Sequence, residues 1–187
     1  SREFLRKEPR VLNLAPMLLL AAANPAAGSA PPAHVSFSRD VVPVMTRAGC
    51  NGGSCHGAQH GKAGFRLSLL GFEPDVDYDA IVKLSGGRRL SLADPERSLL
   101  LMKCSLRIGH QGGRRIAQGS GDYAILLNWM RQGAPGPKPD DPPVTSLDVA
   151  PSSKLMRRGE SLALTVRARY SDAKTRDVTR WARFGSL

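Results

Sequence analysis

Cys50 and Cys55, with His56 directly after the second, are the residues whose types and spacing can do chemistry in this chain. Two nearby thiols followed at once by an imidazole form the arrangement that attaches a haem covalently. The thiols reach the two vinyl groups and the histidine reaches the iron, most often as Cys-x-x-Cys-His. Here the four residues Asn51-Gly52-Gly53-Ser54 separate the thiols, a less common spacing. The flexible insert can fold without carrying either sulfur out of range. Two other readings use the same residues: a Cys50–Cys55 disulfide closing a small loop beside an unrelated histidine, and a zinc site of Cys50, Cys55 and His56. Zinc usually takes four ligands in paired clusters, and Cys104 is distant in sequence and solitary. Three cysteines in 187 residues do not make a disulfide framework.

A six-coordinate haem iron needs a second axial group, usually Met or His. His110 sits in Ile108-Gly109-His110-Gln111-Gly112-Gly113, a glycine-rich loop between the third and last expected helices, where small cytochromes carry their distal ligand. Met102 is the second candidate, although the apolar run Leu99-Leu100-Leu101 makes core packing its default role. Met130 belongs to the stripe of the last helix, and Met45 precedes the attachment site too closely to reach the other haem face. His60 would share a helical face with His56 and reads as a surface residue. His34, in a Pro-rich stretch, reads as solvated. Cys104 reads as a small buried hydrophobe. Arg88, Arg89, Arg114 and Arg115 are either propionate partners or plain solvated charges.

The elements that must position these groups are short. Asp40 is expected to cap a helix from Val41 to about Thr46, with Pro43 in its first turn. Asp77 is expected to start a second helix through Leu84, stopped by Gly86-Gly87. Asp94-Pro95 opens a third over Glu96 to Lys103. The last runs from Gly121 to Gln132, with Tyr123, Leu126, Leu127 and Met130 as one apolar stripe. After a Pro-rich linker over residues 136–144 the period changes to two. Leu162, Leu164, Val166, Ala168 and Tyr170 alternate with polar residues as a half-buried strand, and Ser146 to Val149 and Val178 to Phe184 offer two more. About 40 residues are too few for a closed sandwich, which takes about 100, so the chain reads as stopping partway through a β domain.

Residues 1–33 have the layout of a secretory leader: Arg6-Lys7-Glu8-Pro9-Arg10, an apolar run around Leu18-Leu19-Leu20, then small residues up to Ala30. The formal net charge is +11, from 27 Lys and Arg against 16 Asp and Glu. The basic residues are dispersed, with few aromatics between them, so the charge lacks the concentrated stripe of a nucleic-acid binder and suits an acidic redox partner or an anionic surface. Only 5% of residues are aromatic, which leaves room for a cofactor as core filler.

Further blocks carry a resemblance. Phe37-Ser38-Arg39-Asp40-Val41-Val42-Pro43-Val44 leads into Ala48-Gly49-Cys50 and Cys55-His56-Gly57. There follow Gly61-Lys62-Ala63-Gly64-Phe65-Arg66-Leu67-Ser68-Leu69, Gly87-Arg88-Arg89, Ser98-Leu99-Leu100-Leu101 and Trp129-Met130-Arg131-Gln132-Gly133-Ala134-Pro135. In this order they resemble the cytochrome c-like domain of large planctomycete-type secreted proteins, over residues 36–135. Residues 145–187, with Tyr170-Ser171-Asp172 and Arg176-Asp177-Val178-Thr179, resemble the first half of a bacterial Ig-like domain of group 2. The resemblance implies a mainly α cytochrome c-like domain followed by a partial all-β Ig-like domain, and a histidine before a glycine pair as distal ligand, which favours His110.

The expectation is one covalent haem c on Cys50, Cys55 and His56, with His56 and His110 on the metal. The protein then acts in the periplasm or at the cell surface, with possible membrane association, as an electron carrier for redox partner proteins and not as an enzyme. Two rivals stand beside it: a haem-free cell-surface adhesion module stapled by a Cys50–Cys55 disulfide, and a haem sensor domain.

Overall fold

A computed structural model describes residues 34–185. The leader expected over residues 1–33 lies outside the described residues, as do residues 186–187. A π-helical turn over Phe37–Val41 runs into α1 (Val42–Arg47). Next come α2 (Pro74–Tyr78), continued by a π-helical turn over Asp79–Lys83, then α3 (Leu99–Cys104) and α4 (Gly121–Arg131). Three strands follow, β1 (Val144–Ala150), β2 (Thr165–Tyr170) and β3 (Thr175–Asp177), in one antiparallel sheet of order β1-β2-β3.

The mainly α expectation is corrected by this count of elements. Among the described residues short helices are mixed with a three-stranded sheet, and α4, of 11 residues, is the longest α-helix. Prolines restart the chain at Pro74 and Pro95, and Leu70 and Ser85 sit at positive φ, so helical runs are cut short between turns.

Helix α4 is the organiser of the core. Ser120 caps it by accepting a hydrogen bond from Tyr123 N, and it buries Tyr123, Ile125, Leu126, Leu127, Trp129 and Met130. Phe37 packs on Trp129 at 5.5 Å and edge-on to Tyr78 at 5.4 Å. Leu67, Ile81 and Leu101 join them in the same buried cluster.

Two expected caps are misplaced. Ser36, not Asp40, caps the first helical turn, accepting from Arg39 N. Asp40 is buried, accepts from Ser36 N at 2.8 Å and pairs with Arg176 of β3 at 2.6 Å. Asp77 lies inside α2, where Ser68 donates to its carboxylate from both N and Oγ. The strand alternation holds for Val166, Ala168 and Tyr170, all buried, whereas Leu162 lies before β2 and is exposed. The third strand expected over Val178 to Phe184 is corrected to a 3-10 turn over Thr179–Trp181. Trp181 turns into the core there, its Nε1 donating to Asp122, whose carboxylate also takes Arg180. Among the described residues no helix is long and apolar enough to cross a membrane.

Candidate functional site

The end of α1 delivers the cysteine loop. Cys50 N donates to Met45 O, and the loop then closes on itself: Cys55 N donates to Gly52 O and His56 N to Cys50 O at 3.0 Å. Asn51, which composition makes a flexible linker residue, is instead a buried strut. It is 1% exposed, its Nδ2 donates to Thr46 Oγ1 at 2.8 Å, and its backbone O accepts from Leu70 N. Gly57 is required here, because a Cβ on it would stand 2.0 Å from Asn51 O.

The loop brings Cys50, Cys55 and His56 together. All three cysteines are free thiols, Cys50 and Cys55 partly exposed and Cys104 buried. Burial pushes the Cys50 thiol up to about 11, with nearby Arg115 pulling down against it. Arg115 approaches Cys55, its Nη2 lying 3.7 Å from Cys55 Sγ. Cys104 donates to Leu101 O from the core, as a small buried hydrophobe does, and burial pushes its thiol up to about 12.

His56 is held on two sides. Lys62 and Phe65 form a two-way backbone bridge, Lys62 N to Phe65 O and Phe65 N to Lys62 O, each at 3.0 Å. The same Phe65 carbonyl lies 2.9 Å from His56 Nδ1, and the Phe65 ring rests 4.5 Å from the imidazole. A carbonyl only accepts, so His56 carries its proton on Nδ1 and leaves Nε2 with a free lone pair. Burial, the largest effect, pushes His56 below its ordinary pKa; the Phe65 carbonyl opposes this, and His110 and Arg89 add to it. The neutral ring is the form that ligates metal.

His110 repeats the pattern from the other side. Its Nδ1 donates to Gly113 O at 2.9 Å, which leaves Nε2 as the nitrogen not engaged by that carbonyl, while Gly113 N donates back to His110 O. The ring folds over Gly112, where a Cβ would meet His110 Cε1 at 2.8 Å. The two imidazoles stand with centroids 6.4 Å apart and planes 12° from parallel. Two metal–nitrogen bonds of about 2.0–2.1 Å, plus about 1.1 Å from each nitrogen to its ring centre, span about 6.2–6.4 Å. The observed separation of the ring centres falls at the upper end of that span. Each histidine has one nitrogen fixed by a carbonyl, the outer-shell contact that metal-ligating histidines usually have.

The remaining candidates separate clearly. Met45 and Met130 are in the core, Met102 is half-buried on α3, and His60 is exposed. His34 is exposed and 3.4 Å from Lys138 Nζ. Arg88 and Arg114 are exposed. Arg89 is buried on backbone carbonyls, not presented to solvent, so it is not the free propionate partner that its charge suggests. Among the described residues no group of three or more His, Cys, Asp and Glu side chains is arranged to hold a metal ion on its own. Phe65 and Asn51 are site residues that motif reading missed, and Arg89 was named only for its charge. The one local signal was the tight Gly61 to Phe65 stretch after His56.

A mixed α and β chain with two fixed, near-parallel histidines beside a pair of free thiols is the class that fold and site define. Set against known proteins, the chain matches no family model, no curated protein and no solved structure.

Proposed function

We propose that the chain holds one haem c, bonded through Cys50 and Cys55 and ligated by His56 and His110, and serves as an extracytoplasmic one-electron carrier. The observation that carries this reading is the 6.4 Å separation of two near-parallel imidazoles, each with Nδ1 tied to a carbonyl. When bound, the group supplies a reversible one-electron change at iron. The chain's own residues do the rest. His56 and His110 offer their Nε2 atoms, the Phe65 and Gly113 carbonyls keep the rings oriented, and the closed loop keeps Cys50 and Cys55 next to His56 in the chain. If His56 and His110 both held the iron, no position would be left open for a substrate, which would suit a carrier and not an enzyme. Covalent haem loading takes place on the oxidising side of the membrane, so the periplasm or cell surface is the compartment that goes with this reading. The charge of +11 favours acidic redox partners.

The test is protein made in a host that loads c-type haem. It should keep its colour after denaturation, give a pyridine haemochrome of the c type and exceed the polypeptide mass by one haem. Protein from that host carrying only a Cys50–Cys55 disulfide overturns the reading.

A further inference from the structure

Arg89 is a buried cation in an unusual setting. It is 6% exposed, and its Nη1 donates to Ala80 O at 3.0 Å and to Leu84 O at 2.9 Å. Nη2 lies at 3.4 Å from both Gly64 O and Ser85 Oγ. No Asp or Glu pairs with it among the described residues, and the nearest charge acting on it is that of Arg88. A buried charge without a counter-ion is costly unless hydrogen bonds surround it, and here the ring of dipoles supplies them. The guanidinium lies 4.5 Å from the centre of the Phe65 ring, on which it makes a cation–π contact. Phe65 in turn leans on His56 at 4.5 Å and accepts its Nδ1–H. Arg89, Phe65 and His56 thus form one stack running from the α2 segment to the imidazole.

We propose that Arg89 is a positioning residue for His56: it clamps Phe65 against the imidazole, fixing the ring with Nε2 free, and its unneutralised charge favours the lower oxidation state of a metal held there. The clamp has two links. The guanidinium fork ties the carbonyls of Ala80, Leu84 and Gly64 together, and its flat face holds Phe65, whose backbone carbonyl and ring hold His56 by two contacts. Lysine keeps the charge but has neither the fork nor the flat face.

The clamp is tested in the haem-free full chain, so that this part does not depend on the haem reading. Nitrogen shifts of the His56 ring should report the Nδ1–H tautomer in the wild type, with contacts from ring to Phe65. Arg89→Met and Arg89→Lys should both weaken those contacts and populate the other tautomer. Phe65→Leu keeps the carbonyl and the Arg89 charge but removes the ring between them, and should shift and broaden the His56 ring signals by loosening the imidazole, a reading that stands even where Arg89→Met fails to fold. A His56 ring unchanged in Phe65→Leu overturns the clamp. The charge is tested in the haem-loaded chain, where Arg89→Met should shift the midpoint potential downward and Arg89→Lys should bring it back toward the wild type. Equal potentials in Arg89→Met and wild type, or a lysine variant no different from methionine, overturn the electrostatic part. Failure to load haem at all overturns the proposed function and leaves the ring measurement standing.

Discussion

Replacing Gly112 by alanine tests the histidine geometry with little disturbance elsewhere. The added Cβ would stand 2.8 Å from His110 Cε1, and 3.3 Å from Nδ1 and Nε2. Ordinary carbon contacts begin near about 3.4 Å, so the ring must move by about 0.6 Å. That exceeds the roughly 0.5 Å within which a functional group must be held. Driving the ring off its rotamer takes about 1 kcal/mol, equivalent to about a five-fold shift toward an unligated His110. Carbon monoxide binding to the reduced, haem-loaded protein reads this, since its rate follows the fraction with an open sixth position. The Gly112→Ala rate should rise about five-fold. Gly109→Ala is the control, because a Cβ there meets nothing within 4 Å. Equal rates in the two variants would refute the reasoning.

Asp40 and Arg176 join the first helical turn to β3, with the carboxylate buried and the guanidinium about a third exposed. Arg176→Met should destabilise the chain by about 1–3 kcal/mol in denaturant unfolding, below the full range for a broken buried pair because Arg176 is partly solvated. A loss under about 0.5 kcal/mol would show that the pair does not tie sheet to helix. The thiols give a pH prediction. At pH 8 a thiol at about 11 is about one part in a thousand thiolate, so Cys50 of the haem-free chain should alkylate about 100-fold more slowly than an unperturbed cysteine. Its rate should climb about tenfold per pH unit from 8 to 10, and peptide mapping that finds Cys50 modified as fast as Cys55 at pH 8 would contradict its burial. Because the unfolded thiols release their protons first, Cys50 and Cys104 make the haem-free chain lose stability as pH rises from about 9 toward 11–12. Denaturant midpoints that hold constant over that window would show the thiols to be less buried than described.

Helix α4 was legible because its information is local: the apolar stripe, a serine before it and a glycine after it coincide. The cysteine–histidine motif was legible for the same reason. Asp40 and Asp77 misled because an acidic residue before an apolar run signals a cap, yet both carboxylates are spoken for by groups that composition does not reveal. Asp40 meets a partner 136 positions away. The alternation around Trp181 suggested a strand, and burial of the indole with a bond to Asp122 turned that segment into the core instead. The mainly α reading failed on the same ground, since a sequence window sees helical starts but not how soon each is cut. His110 was visible through its glycine-rich loop. Its distance from His56, and the clamp through Phe65 and Arg89, exist only once the chain has folded.

If the chain holds one haem as proposed, His56 and His110 would be the two side chains that hold its iron. The direct measurement is the ferric and ferrous spectrum of the haem-loaded protein beside its His110→Ala and Met102→Leu variants. The wild type should be low-spin, without the near-infrared band of a methionine–iron bond. His110→Ala should turn high-spin and bind carbon monoxide, and Met102→Leu should leave the spectrum unchanged. A spectrum altered by Met102→Leu and untouched by His110→Ala would contradict it.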